Sequence, residues 1–173
     1  MERRNAWLSY TEAEEKELEQ VAKAYRNFLN VGKTERECVT QIIREARAAG
    51  YESLEEKTAK GEKLKAGDKV YTVGMKKIIA LFHIGQDDIS EGMNILGAHI
   101  DSPRLDVKQN PLYEDTDLAY LDTHYYGGVK KYQWVTLPLA IHGVVVKKDG
   151  STAEVNIGED EDDPIVYLSL IHI

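Results

Sequence analysis

A histidine and an aspartate two positions apart, His99 and Asp101, have the residue types and spacing that could carry chemistry. They close an apolar run, residues 94–100, within the sequence Gly-Ala-His-Ile-Asp-Ser-Pro. On an extended strand, side chains two positions apart point to the same face. A neutral imidazole is a good zinc ligand, and a neighbouring carboxylate can fix its tautomer and ring orientation. The pair is therefore a candidate metal ligand with its orienting partner.

Spacing alone leaves a second interpretation of this pair open. A histidine near an aspartate is often a structural pair, and zinc sites normally need at least three protein ligands. The predicted position at a strand end supports the ligand, because the strand ends of an α/β sheet open into a crevice where ligands bind, but it leaves the structural pair the more frequent case.

Helices followed by strands must position the pair. Two amphipathic helices are predicted after Thr11 and Thr34, because each threonine has a glutamate three residues later, as in a capping box. Gly50 is the predicted stop of the second helix. The predicted strands that follow are 70–73, 78–84 and 94–100. The second of these is nearly all apolar, so we expect it to be buried on both faces, with His83 as a core histidine.

The composition changes after about Pro111, where a second, β-rich unit is predicted to begin. A long β-like run at 134–147 and a short strand at 153–157 flank a turn, as in a hairpin. The order of elements therefore predicts an α/β domain, residues 1–112, followed by the start of a β-rich unit, residues 113–167.

The overall composition restricts the classes of function. The chain has 173 residues, a formal net charge of −8 and one cysteine, Cys38, which we expect to be a small buried helix residue. An acidic chain lacks the basic face that a nucleic acid or an anionic membrane requires, so neither partner is expected. No internal disulfide can form, and no signal peptide or apolar run of membrane-spanning length is visible. A cytoplasmic location is therefore expected.

Charged segments offer two further candidates. The acidic run 159–163 could bind calcium, but it lacks the ligand spacing and glycine of an EF-hand loop, so a solvated loop is favoured. Arg104, Asp106 and Lys108 alternate after the histidine motif and could line a cleft, although an exposed strand face is favoured.

Aromatic and glycine residues of the second half also have two interpretations. Gly127 and Gly128, followed by two lysines, could form an anion-binding nest, but a bend between domains is favoured. The aromatic stretch between residues 113 and 134 could be an oligomer surface or the interior of the β-rich unit. His142, on a predicted strand of that unit, could face a subunit interface.

Two segments resemble motifs of a known enzyme family. Residues 94–108, which contain His99 and Asp101, resemble the first metal-ligand motif of the aspartyl aminopeptidase/aminopeptidase I family of zinc metallopeptidases. Residues 123–134, Thr-His-Tyr-Tyr-Gly-Gly-Val-Lys-Lys-Tyr-Gln-Trp, resemble the bacterial form of that family's Tyr-Gly-Gly segment. The two motifs occur in the family's order, and the resemblance extends over nearly the whole chain.

The resemblance implies a zinc-peptidase-like α/β sandwich interrupted by a β-rich dimerisation domain. It implies a cytosolic or vacuolar metalloaminopeptidase that releases N-terminal amino acids from peptides through a water activated by two zinc ions, in dodecamers built from dimers. His99 matches the first zinc ligand, and Asp101 matches the catalytic-site carboxylate that orients it. The other ligands and the general base belong to later sequence, so we expect an N-terminal fragment that is inactive by itself.

Two other functions remain open from the sequence. The chain could be a non-catalytic interaction or assembly module, since it supplies only one secure ligand. It could also belong to a different zinc-dependent amide hydrolase, such as a deacylase, with a similar histidine and aspartate. The Tyr-Gly-Gly segment and the pair of N-terminal helices favour the aminopeptidase.

The last residues, 168–173, have the sequence Leu-Ser-Leu-Ile-His-Ile. This matches the translation of a common sequencing-adapter end, so we expect a non-native tail after Tyr167. A genuine apolar strand is the alternative, and an uninterrupted genomic reading frame through Ile173 would establish it.

Overall fold

Two long helices precede the strands in the computed structural model, which describes residues 5–169, and two short α-helices lie among the strands. The elements are a 3-10 helix Ala6–Leu8, α1 Glu12–Val31, α2 Glu35–Ala48, β1 Glu52–Ser53, α3 Leu54–Ala59, β2 Lys69–Gly74, β3 Ile78–His83, a 3-10 helix Ile89–Glu91, β4 Arg104–Asp115, β5 Leu118–Tyr126, α4 Lys131–Trp134, β6 Ile141–Val146 and β7 Thr152–Ile157. The predicted mixed α/β class is confirmed. The chain divides into two units, Met1–Ile100 and Asp101–Ile173.

Both predicted capping boxes form, at the starts of α1 and α2. The glutamate of each box accepts a hydrogen bond from the backbone N–H of its threonine, at 2.7 Å for Thr11 and 2.8 Å for Thr34. At the end of α2, Gly50 has a φ of 85°, and the N–H of Tyr51 donates to the carbonyl of Ala46. This left-handed closure is the helix stop that the glycine predicts.

The core of the first unit is formed by α2 and the sheet β1-β2-β3, in which β2 pairs in parallel with β1 and antiparallel with β3. Its buried apolar residues are Cys38, Val39, Ala46, Val70 and Tyr71. Cys38 is buried, as predicted, and its Sγ lies 3.5 Å from the carbonyl oxygen of Gly32 and 3.7 Å from that of Ile100. Burial raises the pKa of this thiol, so it stays protonated and links α2 to the residue that follows His99.

The strand predicted at 78–84 forms as β3, but the prediction that both of its faces are buried is wrong. Ile78, Leu81 and Phe82 are 69%, 42% and 44% exposed. His83 is exposed at the end of the strand and is not a core histidine. Apolar composition predicts burial on both faces only when other elements pack on both of them.

The strand predicted at 94–100 does not form. Residues 92–103 have no regular secondary structure, and Leu96 is fully exposed. A strand exists only through hydrogen bonds to a neighbouring strand, and within residues 5–169 no strand pairs with this segment. His99 therefore lies in an irregular segment and not at a strand end.

The second unit contains a long hairpin, β4–β5, that was not predicted from the sequence. Thr116 and Asp117 join its strands with φ values of 53° and 61°, as in a two-residue hairpin turn. The predicted boundary between residues 112 and 113 lies inside β4. It is placed there because the composition changes after Pro111, which lies within this strand. The assignment of residues 1–112 to a catalytic domain and 113–167 to a dimerisation domain stays a prediction.

A second hairpin follows, in which β6 and β7 pair from Ile141–Ile157 to Val146–Thr152. It confirms the predicted short strand and the turn before it. The predicted long β-like run at 134–147 is wrong in its first half, which includes the end of α4 and a connection to β6. The predicted non-native tail, 168–173, lies outside the described residues from position 170 onward, and its origin stays a prediction.

Candidate functional site

The carboxylate of Asp101 is held by a tyrosine from the Tyr-Gly-Gly segment. Tyr126 is the last residue of β5 and lies opposite Arg104 in the β4–β5 ladder. Its Oη donates a hydrogen bond to Asp101 Oδ2 at 2.8 Å. Pairing of β4 with β5 therefore places the Tyr126 side chain next to Asp101, the aspartate of the histidine motif.

Arg104 packs against the ring of Tyr126. Its guanidinium carbon lies 4.1 Å from the ring centroid, and its Nε donates to Asp106 Oδ1 at 2.7 Å. The Arg104 and Asp106 side chains are only 29% and 31% exposed, so the ion pair is partly shielded from water. Lys108, the third of the alternating charged residues, pairs across the hairpin with Asp122 at 3.0 Å. The predicted charged strand face exists, and its first two members support Tyr126.

The glycine after Tyr126 turns the chain next to Pro103. Gly127 has a φ of 72°, a conformation that favours glycine, and a Cβ at this position would lie 3.5 Å from Pro103. Lys131, one of the lysines of the hypothetical anion nest, has its Nζ 4.3 Å from the ring centroid of Tyr125. These contacts favour the bend interpretation of the two glycines over anion binding.

His99 is exposed in the irregular segment that ends the first unit. Within residues 5–169, no group of three or more histidine, cysteine, aspartate and glutamate side chains could hold a metal ion. An imidazole and a tyrosine-held carboxylate suit one ligand position and its orienting partner, but a zinc site needs at least three protein ligands. The described residues therefore do not form a zinc site by themselves.

Two other candidates make contacts within the second unit. His142 Nε2 lies 3.0 Å from Glu159 Oε1. The acidic run 159–163 folds into a turn in which Asp163 Oδ2 accepts from the N–H of Gly158 at 2.7 Å. This geometry favours the loop interpretation of the acidic run, while the interface role of His142 stays a prediction.

A polar cavity of about 280 Å³ in the first unit was not indicated by the sequence. Three acidic and three basic residues line it, and most of them pair with one another: Lys57 Nζ lies 2.7 Å from Glu52 and 3.2 Å from Glu62, and Arg47 lies 3.5 Å from Glu56. Hydrogen bonds to Glu52 and then to Glu62 raise the pKa of Lys57 to about 12. Since these charges are already balanced, the cavity offers no evident ligand chemistry.

One protein family matches most of the chain. The family model described as aminopeptidase I zinc metalloprotease (M18) matches residues 28–173. The "Probable M18 family aminopeptidase 1" of Clostridium acetobutylicum is 56% identical over 174 residues, which cover 99% of this chain and 37% of the relative. The protein of the same description from Thermotoga maritima is 43% identical over 172 residues, which cover 97% of this chain and 36% of that protein.

Solved structures agree with this match. The crystal structure of aminopeptidase I from Borrelia burgdorferi B31 has a TM-score of 0.86 at 39% identity, and the match covers 95% of this chain and 40% of that one. Aminopeptidase I from Clostridium acetobutylicum has a TM-score of 0.81 at 56% identity, with 100% of this chain and 38% of that chain covered. The chain thus spans 36–37% of the length of these curated relatives. Of the helices in residues 5–169, none is both long and apolar enough to cross a membrane.

Proposed function

Because the chain belongs to the aminopeptidase I family of zinc metalloproteases (M18), we propose that it contributes part of the active site of an aminopeptidase. The proposed enzyme releases N-terminal amino acids from peptides that have a free N-terminus. The observation that carries the proposal is the Asp101 carboxylate, which Tyr126 holds at 2.8 Å, two positions after the candidate ligand His99. An oriented carboxylate is the partner that a metal-bound histidine usually has.

In this proposal His99 supplies one ligand of a site for two zinc ions, and Asp101 orients its imidazole. As in the family that the sequence resembles, the remaining ligands and the general base would come from sequence that follows this segment in the complete enzyme. Bound zinc would supply an acidified water and polarise the scissile carbonyl. The part played by Asp101 is to keep the imidazole in one tautomer and one orientation.

We expect the 173-residue chain alone to have no peptidase activity, because a single secure ligand cannot hold a catalytic zinc ion. The measurement is chromogen release from an aminoacyl substrate by the purified chain, with and without added zinc. Release that requires zinc and stops with a chelator would contradict the expectation.

A chimera tests the function itself. In it, residues 1–167 of this chain, without the expected non-native tail, replace the matching segment of the Clostridium acetobutylicum relative, to which the chain is 56% identical. We expect zinc-dependent release of N-terminal residues from peptides with a free amine and no hydrolysis of matched N-acylated peptides. A preference for the N-acylated peptides would indicate a deacylase. A folded chimera that hydrolyses neither substrate would contradict the proposal.

For the whole enzyme we also propose a cytoplasmic homo-oligomer, a dodecamer built from dimers, as in the family that the sequence resembles. Exposed aromatic residues of the second unit support a subunit contact there: Tyr125 and Tyr132 are 55% and 69% exposed. The molar mass of the chimera in solution measures the assembly, and a monomer would contradict it.

A further inference from the structure

We propose that Tyr126 is a positioning residue that fixes the Asp101 carboxylate, and that Arg104 in turn fixes Tyr126. The inference rests on the proposed function, because the orientation of Asp101 affects a reaction only if His99 binds a metal. It gives the Tyr-Gly-Gly segment a task beyond the bend that its glycines make.

A hydrogen bond joins the Tyr126 phenol to the Asp101 carboxylate. Tyr126 Oη donates to Asp101 Oδ2 at 2.8 Å, and a hydrogen bond to an ionised acceptor is stronger than one between neutral groups. With Oδ2 engaged, the direction of Oδ1 is set as well. Tyr126 is 39% exposed, so water competes for this bond, and the ring needs further support to hold it.

Arg104 contacts the ring of Tyr126. The guanidinium carbon lies 4.1 Å from the ring centroid, within the range of a cation–π interaction. Arg104 is itself held by the 2.7 Å ion pair with Asp106, which lies two positions further along β4. The ring therefore cannot swing away from Asp101 without losing its contact with a side chain that is fixed elsewhere.

The backbone around Tyr126 is fixed as well. Arg104 and Tyr126 are partners in the antiparallel ladder, and a Cβ at Gly127 would lie 3.5 Å from Pro103, in the connection between Asp101 and β4. All of these residues belong to the unit Asp101–Ile173. Backbone pairing thus sets the position of the phenol, and the side chains set its direction.

The test removes only the hydroxyl, with Tyr126→Phe, so that the ring remains for Arg104. Tyr113→Phe is the matched control, because Tyr113 is similarly exposed (42%) and stacks on Tyr120 in the same hairpin. In the 173-residue chain, at one fixed neutral pH, we expect Tyr126→Phe to shift the carboxyl ¹³C resonance of Asp101 and Tyr113→Phe to leave it unchanged. In the chimera, we expect Tyr126→Phe to weaken zinc binding, but by less than the about 10–100-fold that loss of a ligand's direct partner costs, because Asp101 itself remains.

The outcomes separate this inference from the proposed function. Zinc affinity that is unchanged by Tyr126→Phe, in a chimera that binds zinc, would overturn the positioning role alone. An unshifted Asp101 resonance would also overturn it, since it would mean that the phenol does not hold the carboxylate. A folded chimera that binds no zinc would overturn the proposed function, and with it the role of Tyr126 in the reaction, even if the resonance shifts.

Discussion

Replacing His99 with alanine in the chimera is expected to lower zinc affinity and peptidase activity by more than about 100-fold. The loss of an outer partner of a metal-bound histidine already costs about 10–100-fold, and the loss of the ligand removes the bond to the metal itself. Competition with a chromogenic chelator measures the affinity, and aminoacyl chromogen release measures the activity. Wild-type zinc affinity in the His99→Ala variant would contradict the ligand role.

His83→Ala is the matched control for this experiment, because His83 is also exposed and also lies in the first unit. It is expected to leave both measurements unchanged. Exposed substitutions usually alter the free energy of unfolding by less than about 0.5 kcal/mol, so the midpoint of thermal unfolding should be similar in both variants. A large shift for His99→Ala would mean that the loss of activity reflects folding and not ligation.

Replacing Val70 with aspartate is expected to unfold the first unit. Val70 is fully buried in a core with few buried residues, and an unpaired buried carboxylate costs several kcal/mol. The total stability of a domain is only about 5–15 kcal/mol, so the loss is a large share of it. Hydrogen exchange of the β2 amides measures the effect, and we expect their protection to disappear.

Ile78→Asp is the control for that variant, because Ile78 lies on the neighbouring strand β3 but is 69% exposed. Its effect on the free energy of unfolding should stay within about 0.5 kcal/mol, and aggregation should decrease because an exposed apolar strand edge gains a charge. Unchanged β2 protection in Val70→Asp would contradict the burial of Val70, and loss of that protection in Ile78→Asp would contradict the exposure of Ile78.

Features set by neighbours in the sequence were predictable. The capping boxes at Thr11 and Thr34 and the helix stop at Gly50 depend on contacts within five residues, and all three form as predicted. The segment 94–100 has equally clear apolar patterning but forms no strand. Its structure depends on a partner strand, and a pattern along one segment says nothing about whether a partner is present.

The candidate site divides in the same way. His99 and Asp101 could be selected as candidates from one short motif and the family resemblance that it carries, and their roles stay predictions. The contact between Asp101 and Tyr126 joins residues 25 positions apart, and it depends on the register of β4 and β5. That register includes an irregularity between Val107 and Leu112. A slip of one residue would turn Tyr126 to the other face of the hairpin.

The sequence of the turn between β4 and β5 is a weak signal for a hairpin. Thr116 and Asp117 both adopt positive φ, where an Asn-Gly or Asp-Gly pair would have been the recognisable signal. Without the turn, the strand ends could not be paired from the sequence, and the role of Arg104 beside Tyr126 could not be inferred.

Anomalous scattering at the zinc absorption edge, from crystals of the chimera, shows directly whether His99 binds zinc. We predict a zinc ion at about 2.0–2.1 Å from one imidazole nitrogen of His99, while the other ring N–H of His99 donates a hydrogen bond to the Asp101 carboxylate. Zinc bound entirely by other residues, with the His99 ring in solvent, would exclude His99 as a zinc ligand.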